Sequence, residues 1–182
     1  MKINSNSILE ILRIFFWIFT VLLCLGLSLL VFIFFSTILG IDIGSMKEMK
    51  IDVNLLHGKI KDIQSLGKTK LLFLLAYSIT AGGLYLFFFI TVIKVLKRLQ
   101  LNLPFSMEIY FLISKIAKLA LLIGSLSFLM SFITELITGE FSVSLDLGNE
   151  NFQFFLLAAV VYVIAQVYKR AVDLQSENDL TI

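Results

Sequence analysis

Residues able to do chemistry are scarce in this chain. There is one histidine, His57, flanked by leucine and glycine, and one cysteine, Cys24, inside an apolar run. A structural metal site asks for several Cys or His ligands at short spacing, and a nucleophile needs a base beside it. No second His or Cys stands at such a spacing, so His57 reads as a solvated or packing residue. A lone cysteine excludes an internal disulfide. Neither a phosphate-cradling glycine loop nor a nucleophile elbow is present, and Gly124-Ser125 reads as a helix-packing pair. The sequence therefore predicts no catalytic residue, no cofactor and no metal. The expectation is a protein that is not an enzyme.

Transport chemistry asks for something different: a charge or a broken helix at mid-membrane. The only candidate break is Ala81-Gly82-Gly83. Packing offers another account of it, because Ser78 and Gly82 are four apart, as are Ser127 and Ser131, and Cys24 and Ser28. Small faces at that spacing let helices approach closely in lipid. Both readings stand at the level of sequence.

The elements that must position these residues follow from composition. The 182 residues are 59% hydrophobic and 15% charged, against about half and about a quarter in ordinary globular domains. A small soluble fold has nowhere to hide that much apolar surface. Charge-free runs extend over Ile14–Ile41 (28 residues), Leu71–Ile93 (23), Leu119–Thr134 (16) and Asn151–Tyr168 (18). Crossing the hydrocarbon takes about 20 apolar residues. The first run is too long for a cleaved signal sequence, whose apolar stretch is about 7–15 residues, and is read as a mature helix. The third reaches full length if Lys118 or Glu135 extends its charge to the interface.

The expected fold class is an all-α membrane protein, a four-transmembrane-helix bundle forming a single domain over 1–182. Its spans are expected at about 12–39, 70–94, 115–137 and 151–172. Outer loops then cover 40–69 and 138–150, the inner loop 95–114, and a tail 173–182.

Orientation comes from where the charges fall. One side carries nine Lys or Arg, at Lys2, Arg13, Lys94, Lys97, Arg98, Lys115, Lys118, Lys169 and Arg170; the other carries six, all between Lys47 and Lys70. The bias predicts both termini in the cytoplasm of a cell (inner or plasma) membrane, with Trp17 and Tyr168 as aromatic anchors near that face. A net charge of +2 does not suggest direct nucleic-acid binding.

On the outer side, 50–55 alternates polar and apolar residues as a strand does. Met46, Met49, Val53, Leu56, Ile60 and Ile63 equally suit an amphipathic helix flawed by Gly58. Strict alternation over 141–147, closed by Gly148-Asn149, reads as a strand. The expectation is a small extracytoplasmic β element pairing 50–55 with 141–147; the alternative is a helix in the first loop and a solitary extended segment in the second.

On the inner side, Pro104 disfavours helix at Leu103, and Ser106 suits the N-cap of the third helix with Glu108 in its first turn. Lys94, Lys97, Arg98, Lys115 and Lys118 form a basic rim able to attract anionic headgroups or dock a protein. Lys169 and Asp173 stand four apart as a helix pair, and the residues after Gln175 favour a helix end.

The chain finishes in a basic pair, Lys169-Arg170, then Leu174-Gln175, then Glu177-Asn178-Asp179-Leu180-Thr181-Ile182. This finish resembles the C-terminal signature of domain-of-unknown-function family 2975, small bacterial four-helix membrane proteins. That family's inner loop carries an Asn-Pro-Phe-Ser/Thr-x-Glu pattern followed by basic residues and a glycine-bearing apolar run. Asn102, Pro104, Phe105, Ser106, Glu108, Lys115, Lys118 and Gly124 are similar to it, with Leu103 inserted between Asn and Pro.

The resemblance implies a gene neighbour encoding a small helix-turn-helix regulator, hence a membrane protein that controls or sequesters a cytoplasmic DNA-binding partner. It carries over no activity. The expected partner surface comprises Lys97, Arg98, Pro104, Phe105, Ser106, Glu108, Lys169, Arg170, Glu177, Asn178 and Asp179. Besides the lipid bilayer and that regulator, a homo-oligomer is a candidate partner, and an oligomeric small-solute transporter or channel component is the alternative function.

Overall fold

The computed structural model describes residues 5–40, 68–99, 105–138 and 150–179. They form four helices: α1 (Ser5–Leu39), α2 (Lys68–Arg98), α3 (Met107–Thr138) and α4 (Glu150–Asp179). No strand occurs among the described residues, so the fold is all-helical there. The segments of the expected β element, 50–55 and 141–147, lie outside the described residues, as does His57.

All four helices are long and apolar enough to cross a membrane. They contain 30 to 35 residues each, about 45–52 Å at 1.5 Å per residue, against a hydrocarbon core of about 30 Å. Each rod therefore overhangs.

The helix ends have local causes. α1 stops at Gly40, whose φ of 69° is the left-handed cap conformation that a side chain disfavours. Lys97 and Arg98 sit in the last turn of α2, where cations suit the helix dipole. Ser106 caps α3 as its position predicts: its Oγ accepts the Ile109 amide at 3.4 Å, and its carbonyl accepts the Ile109 and Tyr110 amides. The end of α4 departs from expectation. Ser176, Glu177, Asn178 and Asp179 continue the helix instead of ending it. No Gly or Pro interrupts α4, and its last turns are tied to the α2–α3 connection, which outweighs the weak propensities of those residues.

α3 is the centre of the packing, lying between α2 and α4. Ala117, Ala120, Ile123 and Ser127 of α3 are buried, and so are Ala158 and Ala165 of α4, seven apart on one face. Alanines at such positions let α3 and α4 approach closely. Tyr85 meets Phe154 edge-on at 5.7 Å, joining α2 to α4. Tyr77 and Ser127 share a side-chain hydrogen bond between α2 and α3.

α1 lies outside this three-helix core and packs chiefly on α2. Phe16 and Phe19 contact Phe89 at ring distances of 5.8 and 6.2 Å. A Cβ added at Gly82 would stand 2.6 Å from Leu27 Cδ2, whereas one at Gly83 would meet nothing. Gly82 is therefore a point of helix approach. Cys24 and Ser28, which share its small-residue spacing, are exposed and so do not mark a close approach.

Membrane-embedded hydroxyls need acceptors, and here they find them within their own helices. Thr20, Ser28, Ser36, Thr37, Ser78, Thr80, Thr91 and Ser125 each donate to a backbone carbonyl three or four residues earlier. Such bonds satisfy polar groups where no water is present.

Candidate functional site

The candidate site is built where the α2–α3 connection meets the overhanging end of α4. Tyr168 and Gln175 are seven residues apart, two helical turns, so they share one face of α4. Both reach the chain just before α3. The Phe105 amide donates to Gln175 Oε1 at 3.0 Å, and the Ser106 amide donates to the Tyr168 hydroxyl oxygen at 3.3 Å. The Phe105 ring stands edge-on to Tyr168 with centroids 5.1 Å apart. One turn along, Lys169 Nζ lies 5.9 Å from the centre of the Tyr110 ring. It leans on that ring and does not pair with Asp173, the partner that helical spacing suggests. Two segments far apart in sequence thus form one surface.

The connection is also fixed to α2. Arg98 at the end of α2 forms an ion pair with Glu108 in the first turn of α3. Glu108 therefore has a second role beside its placement near the positive helix end. The two side chains are 47% and 63% exposed, so the pair is worth at most about 1 kcal/mol and fixes geometry more than stability.

The expected surface residues are distributed as follows. Lys97 and Arg98 close α2, Phe105 and Ser106 form the connection, and Glu108 opens α3. Lys169 and Arg170 lie beside the dock on α4, and Glu177 and Asn178 lie in its last turn. Asp179 is the final residue of α4, and Pro104 lies outside the described residues. The dock brings Phe105 and Ser106 onto α4, Arg98 onto Glu108, and Lys169 onto Tyr110. Glu177 and Asn178 follow Gln175 in the last turn of α4.

Tyr168, Gln175 and Tyr110 were missing from the expected surface, although they hold it together. Their signal was present: two hydrogen-bonding side chains at i and i+7, at the polar end of an apolar helix. Phe105, Phe111 and Leu174 are also exposed at this end, at 52%, 65% and 61%. Apolar side chains at the end that also carries Lys97, Arg98 and Arg170 make a mixed surface of the kind proteins use for docking.

No three His, Cys, Asp or Glu side chains among the described residues could hold a metal ion together. A family model described as "Protein of unknown function (DUF2975)" matches residues 7–182. No curated protein and no solved structure matches the chain. The matched range takes in nearly all of α1, both segments of the dock and the whole of α4, and by it the chain belongs to the DUF2975 family.

Proposed function

We propose that this protein is a regulatory or signalling membrane partner of a cytoplasmic helix-turn-helix transcription regulator, with no catalytic activity of its own. Both termini and the docked connection lie in the cytoplasm, in the inner or plasma membrane. The supporting observation is that the two segments resembling family motifs, around 102–108 and 169–182, meet through Phe105, Ser106, Tyr168 and Gln175. Lipid contact alone gives no reason for such a dock. A surface that must present Lys97, Arg98, Lys169 and Arg170 in fixed register to a protein does. On the other side, the loops containing 50–55 and 141–147 would pair as strands and receive the signal.

The test is recovery of the regulator encoded beside this chain, using the full protein and one truncated after Arg170. The reading expects recovery with the full chain and its loss on truncation. Equal recovery in both, or none in either, counts against it.

The alternative is an oligomeric small-solute transporter or channel component. It draws on Gly83, which has open space around it. It is weakened by Gly82, which packs on Leu27, and by hydroxyls already bonded within their own helices. Solute flux through the purified protein in liposomes would support it.

A further inference from the structure

Between α1 and α2, at the end that bears the α2–α3 connection, lies an open groove of about 490 Å³ lined by Arg13, Ile14, Trp17, Ile18, Ile93 and Lys97. Its walls are apolar, the hydrocarbon stems of Arg13 and Lys97 included, so any charge stands at its mouth. Arg13 and Ile14 stand one turn nearer the helix start than Trp17 and Ile18, and Lys97 stands one turn nearer the α2 end than Ile93. Because α1 and α2 are antiparallel, both cations fall at the polar mouth. The indole and the inner isoleucines lie about 5 Å deeper, one helical pitch.

Among the described residues, neither Arg13 nor Lys97 takes part in an ion pair; Arg98, next to Lys97, is held by Glu108 instead. Glu10, one turn from Arg13, is exposed and not paired with it. Two cations without carboxylate partners thus stand over an apolar floor. The floor is not closed by the protein, for Trp17 is 54% and Ile18 55% exposed.

We propose that this groove is a binding site for one anionic phospholipid. The phosphate sits between the Arg13 guanidinium, which can hold two of its oxygens, and the Lys97 ammonium. The upper acyl chains cover Ile14, Ile18 and Ile93, and Trp17 lies one turn below the phosphate, in the interfacial zone where indoles are favoured. A free phosphate would satisfy the cations and leave the isoleucines bare, so the charge and the floor together select a lipid. This site does not rest on the regulator reading. It also differs from general attraction to the basic rim, because Lys115 and Lys118 belong to α3 and do not line the groove.

Native mass spectrometry of the full chain in nonionic detergent tests it, titrating phosphatidylglycerol against phosphatidylcholine of the same chains. One phosphatidylglycerol should be retained, with phosphatidylcholine at least tenfold weaker and inorganic phosphate unable to displace it. The R13Q/K97Q variant should weaken retention about thirtyfold (about 2 kcal/mol at 1.4 kcal/mol per factor of ten), and K115Q/K118Q less than threefold. Where the double variant is not monodisperse, R13Q and K97Q singly should each lose about fivefold. Equal retention of the two lipids, displacement by phosphate, no loss in the groove variants, or the same loss in K115Q/K118Q would each overturn the proposal.

Discussion

Releasing the α2–α3 connection from α4 is the most informative perturbation of this fold. Two backbone amides are held there by side chains, Phe105 by Gln175 and Ser106 by Tyr168. A hydrogen bond of this kind contributes a net of about 0.5–1.5 kcal/mol, and partial exposure places these in the lower half of that range. Tyr168→Phe removes one bond and keeps the edge-on contact with Phe105; Gln175→Ala removes the other. The pair of substitutions should therefore weaken the dock by about 1.5 kcal/mol, and Tyr168→Ala, which also loses the ring contact, by about as much alone. Hydrogen–deuterium exchange in nanodiscs reads this directly. Protection over 105–110 should fall about tenfold in the Tyr168→Phe/Gln175→Ala variant, while the buried stretch around Ala120 stays protected. Unchanged exchange at 105–110 would mean that the connection is held by something else, and the reasoning about the dock would be wrong.

Further expectations concern single sites. Gly82→Ala should lower the melting temperature in detergent, by the equivalent of about 1–2 kcal/mol, because Leu27 must move aside. Gly83→Ala meets open space and should be neutral or raise it slightly through helix propensity; equal effects at the two glycines would contradict the α1–α2 packing. Ser106→Ala should cost about 1 kcal/mol of stability and speed exchange in the first turn of α3, while Ser106→Asp restores both.

Much of the architecture was legible in the sequence, because a helix in lipid needs little more than a long run without charge. The four helices follow from the charge-free runs, and the break before α3 and its cap follow from Pro104 and Ser106. Which helix packs on which was not, because neighbouring apolar helices look alike in hydropathy. Ala120 and Ala165 mark the α3–α4 contact only through their small size, and Cys24 and Ser28 have the same spacing yet are exposed. The end of α4 was misjudged for a related reason. Local propensities are worth tenths of a kcal/mol per residue, and the tie from Gln175 to Phe105 is worth more. At the candidate site the charged residues are the conspicuous ones in sequence, yet the residues that assemble it are Tyr168 and Gln175. Their i, i+7 spacing shows that they share a face of α4, but not that the partner lies 70 residues away in the sequence.

The central claim is that the docked connection and the end of α4 face the cytoplasm. Ser176 is exposed on that stretch of α4, so a Ser176→Cys substitution in a Cys24→Ala background offers one reactive thiol. Treated with a membrane-impermeant maleimide, right-side-out spheroplasts should leave it unmodified, and opened membranes should label it fully. Labelling before the membrane is opened would place this surface outside the cell and contradict the account.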